Sequence, residues 1–166
     1  MQLRDLFDEV SRGDARVIPL ELQQLLRRDL DVSSDWRGAE DLLLTARERL
    51  PQQLEVLVAL YKLYAYSNRF DEALQVIDDT LALAAGQAGF TADWRQLDES
   101  SAAWTPARGA LRTYLYSLKA TGFVRLRRGD LGQAWEVLLK LQQLDPMDQV
   151  GGSVVRDMAE RLLEDD

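Results

Sequence analysis

Two acid pairs, Asp78-Asp79 and Asp165-Asp166, come nearest to general acid–base chemistry, which needs carboxylates converging on one bond. Neither pair has catalytic spacing: the first lies on the flank of a helical pattern and the second at a fraying helix end. A nucleophile would need a base to activate it. The chain has no His and no Cys, which excludes Ser-His and Cys-His pairs, thiolate nucleophiles, disulfides and the usual zinc sites. Gly151-Gly152-Ser153 lacks the surrounding glycines and the Lys of a phosphate-cradling loop, and reads as a helix start. The expectation is a protein without catalysis, metal or cofactor.

The remaining chemistry is that of binding. The chain carries 20 Lys and Arg against 28 Asp and Glu, a formal charge of −8 that repels phosphate backbones, so no nucleic-acid partner is expected. The charge is unevenly spread. Residues 107–129 hold Arg108, Arg112, Lys119, Arg125, Arg127 and Arg128 and no acid, while residues 145–166 hold seven acids and two Arg. Either these stretches neutralise one another, with Arg125-Leu126-Arg127-Arg128 placed favourably at a helix C-terminus, or they leave an exposed basic wall. Aromatics cluster as well. Phe90, Trp94 and Trp104 fall within one polar stretch that holds two of the four Trp. They either glue that stretch onto the rest of the chain or edge a binding groove.

These side chains must be positioned by helices. With 166 residues, 46% of them hydrophobic and 29% charged, the chain can bury one domain's core. Helical spacing recurs in Leu3, Leu6, Phe7 and Val10, in Leu22, Leu25 and Leu26, and in Leu42, Leu43, Ala46 and Leu50, and no alternating strand pattern competes. Pro19 suits a first helical turn, Ser33 or Ser34 can cap the helix of Trp36, Thr105-Pro106 can open another, and Pro51 and Pro146 each end a helix. The pattern predicts eight helices, over about 2–12, 19–29, 34–49, 52–67, 71–85, 107–128, 130–144 and 149–164. No apolar run approaches the roughly 20 residues of a membrane span. The mixed charges at the N-terminus do not read as a secretory signal, so a cytoplasmic location is expected.

Repetition arranges the helices. Trp36-Arg37-Gly38-Ala39, Arg69-Phe70-Asp71-Glu72-Ala73 and Asp130-Leu131-Gly132-Gln133-Ala134 each put a small residue at the start of an amphipathic helix. Ala39 and Ala73 are 34 residues apart, and Ala39 to Pro51 and Ala134 to Pro146 are both 12. Further positions fall into register: Leu57, Leu60, Tyr61 and Tyr64 before Ala73 and Ile77, then Leu118, Thr121, Gly122 and Arg125 before Ala134, Leu138, Leu141 and Pro146. This pattern resembles the tetratricopeptide repeat (TPR). Tyr61 stands in a small-residue position and Ala85 where Pro is expected. Ala73 and Ala134 are 61 residues apart, 27 more than one repeat, which marks an insert.

The resemblance implies an all-α, single TPR-like domain: antiparallel helix pairs in a superhelix, with repeats at about 20–53, 54–87 and 115–148, an insert at about 88–114, and a capping helix at about 149–164 with a polar outer face. It implies a concave surface carrying Gln24 and Arg28, then Glu55, Val58, Lys62 and Tyr66, then Tyr116, Lys119, Phe123 and Arg127. Such a surface suits a protein or peptide partner with an acidic or amphipathic segment. The carboxylate clamp of some family members is disfavoured, because Ala59 and Ala120 stand where it wants polar groups. The chain thus resembles small bacterial repeat proteins that act as adaptors, assembly factors or chaperones. Among these are the type III secretion chaperones, against which the insert argues, and, through the stretches 66–74 and 148–162, repeat proteins accompanying nitrogen-fixation genes. The competing expectation is a self-assembling structural protein, a homodimer pairing through Trp94 and Trp104.

Overall fold

The computed structural model describes residues 1–7, 19–28 and 30–165. Among these residues the chain is all-helical, with seven α-helices, two short 3₁₀ helices and one isolated bridge between Gln2 and Asp31. They fall into two compact units, Met1–Val76 and Ile77–Asp166.

The first unit is built around α3 (Leu54–Tyr66), which buries nine residues and is apolar nearly all round, as a central helix must be. Against it packs α2 (Trp36–Arg49), which turns Ala39 and Leu43 inward. The N-cap of α2 is Asp35, whose carboxylate accepts from the Gly38 backbone N–H at 3.0 Å. Ser33 and Ser34, the expected caps, are instead drawn to Asp31: the Ser33 N–H donates to its carboxylate at 2.9 Å and the Ser34 hydroxyl to its carbonyl at 3.3 Å. A Cβ at Gly38 would stand 2.4 Å from the capping carboxylate, so a larger residue there would have to shift the Asp35 side chain.

Ahead of α2 lies α1 (Leu20–Leu26), shorter than the expected helix over 19–29. The helix expected over 2–12 is also corrected. Its described part is a 3₁₀ helix, Leu3–Phe7, which buries Leu3, Leu6 and Phe7 and packs on α3. Its backbone is tied to the segment before α2, with Leu3 N–H on the Leu30 carbonyl at 3.0 Å and Val32 N–H on the Met1 carbonyl at 2.9 Å. Val10 and the Leu26 side chain lie outside the described residues. The α4 helix (Phe70–Ala88) contributes residues to both units.

In the second unit α5 (Gly109–Arg128), α6 (Leu131–Leu144) and α7 (Gly152–Glu164) all pack on one another. Two glycines set their spacing. A Cβ on Gly122 of α5 would fall 2.5 Å from Leu138 of α6, and one on Gly152 of α7 would fall 2.5 Å from Leu141. Between α5 and α6 the chain turns at Gly129, in the left-handed conformation with φ 92°, and the Asp130 N–H reaches back to the Arg125 carbonyl at 2.9 Å. The stretch before α5 is irregular apart from a 3₁₀ turn at Trp94–Gln96.

Candidate partner-binding surfaces

On α5, Tyr116, Lys119, Phe123 and Arg127 follow one another at helical spacing and form a single row. The row exists because the rest of α5 is needed for packing: Leu115, Leu118, Gly122 and Val124 are buried, whereas Tyr116, Lys119 and Phe123 are half-buried and Arg127 is exposed. Each ring carries a cation. The Lys119 ammonium lies 5.5 Å from the Tyr116 ring centre and the Arg127 guanidinium 5.9 Å from that of Phe123. Lys119 has a second task, donating to the Val150 carbonyl at 2.9 Å and so pinning the turn before α7.

Part of the basic stretch is neutralised locally. Arg125 and Arg128 reach Asp130 at 3.3 and 3.5 Å. One tie to the acidic stretch is the contact of Lys119 with the turn that holds Asp148. That carboxyl titrates below the usual carboxylate range because Ser153 donates to it from hydroxyl and backbone, with Arg156 and Lys119 adding favourable charge.

In the first unit, Lys62 of α3 donates to the Leu6 carbonyl at 3.4 Å and holds the 3₁₀ helix in place. Tyr66, at the end of α3, is 57% exposed. Val58 is fully buried and belongs to the core, while Glu55 is half-buried. Arg28 and Gln24 line a groove of about 280 Å³ whose apolar floor comes from Leu25, Leu42, Ala46 and Leu50 and whose rim also holds Glu21 and Arg49. Both residues thus line a groove between α1 and α2.

The aromatic stretch is packed onto its own unit. Trp104 is 5% exposed and donates from its indole to the Asp98 carbonyl at 2.9 Å. Phe90 lies 5.2 Å from Trp104 and meets Tyr114 edge-on at 4.9 Å. Tyr114 donates to the Ala92 carbonyl at 2.8 Å, and burial, helped by the nearby Asp93 charge, pushes its phenol above the usual tyrosine range. Lys140 of α6 clasps the Leu97 carbonyl at 2.6 Å, while the Gln149 side chain accepts from Ala107 N–H and donates to the Trp104 carbonyl. Trp104 therefore presents no free surface, and Trp94, half-buried with Arg95 stacked 4.2 Å above it, is the accessible ring of the pair.

One cluster was not foreseen from sequence. Arg69 lies over the rings of Trp36 and Tyr64, at 5.1 and 4.7 Å, and pairs with both Glu40 and Glu72. Only the spacing of Arg69 and Glu72 hinted at it. Among the described residues no group of three or more acids is placed to hold a metal ion, and no helix is long and apolar enough to cross a membrane.

No protein-family model and no solved structure matches the chain. Among curated proteins it is 34% identical over 122 residues to an uncharacterized 19.8 kDa protein in the nifW 5′ region of Azotobacter chroococcum mcd 1, a match spanning 72% of this chain and 68% of that one. On that extent of identity, the all-helical chain described here belongs to the family of the Azotobacter chroococcum protein.

Proposed function

We propose that the chain is a non-catalytic, cytoplasmic binding module of TPR type, an adaptor, assembly factor or chaperone that holds an acidic or amphipathic segment of a protein partner. The observation that carries the reading is the α5 row, in which two half-buried rings alternate with two cations on one helical face. Such a row offers apolar anchoring and anion attraction together. A repeat register is supported by the 34-residue separation of the starts of α2 and α4, Trp36 and Phe70, and by Ala39, Ala73 and Ala134, each fully buried. The test is affinity capture from the native cell with wild-type protein and the variants Phe123→Ala and Arg127→Glu, followed by mass spectrometry. Proteins held by the wild type should be lost from both variants while circular dichroism stays unchanged. Identical capture by all three would refute the reading.

A second reading, an accessory role in bacterial nitrogen fixation, is favoured by the relative's place in the nifW 5′ region. A deletion strain grown without fixed nitrogen should then reduce acetylene more slowly than its parent, and equal rates would dismiss the idea.

A further inference from the structure

The helix expected to present a polar outer face has Asp157, Glu160, Arg161 and Glu164 exposed, but it also carries apolar residues along one side. On α7, Gly152, Val155 and Ala159 turn inward, but Val154 is 63% exposed, Leu162 is 44% exposed and Met158 is half-buried between them. These three recur every four residues, so they form one apolar stripe along the side of the helix. Exposed apolar side chains are unremarkable singly and informative when contiguous.

We propose that this stripe pairs with the same stripe of a second copy of the chain, the two α7 helices running antiparallel about a two-fold axis at Met158. The occupant is specified by the pattern itself. Val154 and Leu162 stand equally far before and after Met158, so a two-fold axis there sets Val154 against the partner's Leu162, Met158 against the partner's Met158, and Leu162 against the partner's Val154. The flanking charges agree. At about 100° per residue, Asp157 and Arg161 lie on the same flank of the stripe. An axis perpendicular to the plane of the two helices brings that flank of one copy beside the same flank of the other. Arg161 then faces the partner's Asp157, and Asp157 the partner's Arg161, across an axial offset of about 3 Å that an arginine side chain spans. Among the described residues Arg161 spends only its Nε donor, on the Asp157 carbonyl at 3.3 Å. A parallel pairing would set the Asp157 and Arg161 flank of one copy beside the opposite flank of the other and lose this complementarity. The surface is distinct from the α5 row, so the proposal stands whether or not that row binds a partner.

The test is sedimentation equilibrium of the whole chain and its variants. The wild type should dimerise reversibly, and Met158→Glu should be monomeric with unchanged circular dichroism. Asp157→Arg and Arg161→Asp should each weaken self-association about tenfold or more, because each sets like charges face to face. The decisive sample is their mixture: one copy's Arg at 157 meets the other's Asp at 161, and the native pair forms on the opposite side of the axis, so the mixture should dimerise when neither variant does alone. A charge effect confined to one helix could not produce that rescue. A wild type that stays monomeric, or a dimer indifferent to Met158→Glu, or no rescue in the mixture, would overturn the proposal. A dimer lost instead on Trp94→Ala would assign the contact to the aromatic stretch.

Discussion

Replacing Gly122 by alanine adds one carbon to the α5–α6 crossing. That carbon would lie 2.5, 2.7 and 3.3 Å from the three outer carbons of Leu138, against the roughly 3.5–4.0 Å at which carbon atoms rest in contact. Leu138 is 1% exposed, so either its side chain must repack within the core or the two helices must separate by something near an ångström. Overpacking of this kind costs about 1–3 kcal/mol, and relief of glycine's helix penalty returns about 1 kcal/mol, which leaves a net loss of about 0–2 kcal/mol. Gly132→Ala is the matched control. It lies in α6, nothing stands within 4 Å of its added Cβ, and it should gain up to about 1 kcal/mol. The two variants should thus differ by about 1–3 kcal/mol. Because the chain has two compact units, the readout should be native-state hydrogen exchange at the α5 and α6 amides under mild urea rather than a single global transition. Leu138→Ala normally costs about 2–5 kcal/mol and should cost less on the Gly122→Ala background, since it vacates the contested space. Equal stability of Gly122→Ala and Gly132→Ala would refute the close crossing.

Ala73→Leu, at a fully buried position of α4, should lower stability by about 1–3 kcal/mol in thermal unfolding, whereas Ala88→Leu, exposed at the end of the same helix, should be neutral. Tyr114 favours its neutral form in the folded state, so its contribution is intact below about pH 10 and is lost as pH rises toward its raised folded pKa; Tyr114→Phe should flatten that alkaline loss in pH-dependent urea unfolding. Asp148 has the opposite sign: its carboxylate stabilises the fold above about pH 4 and the benefit disappears as pH falls through its depressed folded pKa. Ser153→Ala should raise the Asp148 pKa toward the ordinary carboxylate value, as read by carboxyl NMR.

Local patterns made the helices legible. The Leu42, Leu43 and Ala46 spacing, the stops at Pro51 and Pro146, and the turn at Gly129 are effects of neighbours in sequence, and most helices from Trp36 onward fall within a few residues of expectation. Gly122 was legible too, as the small residue that a close pair requires. What escaped were contacts decided by neighbours in space. Asp35 caps α2 while Ser33 and Ser34 lie in the turn that Asp31 holds, through the Ser33 N–H and the Ser34 hydroxyl. The N-terminal stripe becomes a 3₁₀ helix because its backbone bonds to residues 30 and 32. The two Trp of the aromatic stretch look alike in sequence, and only the fold shows that Trp104 is packed while Trp94 keeps a face toward solvent. The same limit divides the candidate site: the α5 row is a periodic feature, readable in advance, but that Lys62 braces the 3₁₀ helix depends on a carbonyl 56 residues away.

The chain contains only three lysines, and each spends its ammonium on a main-chain carbonyl outside the regular helices it springs from: Lys62 on Leu6, Lys119 on Val150, Lys140 on Leu97. Acylation of these amines would remove both the charge and the donor that fasten three separate segments. Amine-directed labels and cross-linkers would therefore report on how tightly those segments are fastened more than on outer surface. After such acylation the chain's remaining positive side-chain charge would belong to arginine, whose planar fork suits paired carboxylate oxygens and which acylating reagents leave untouched.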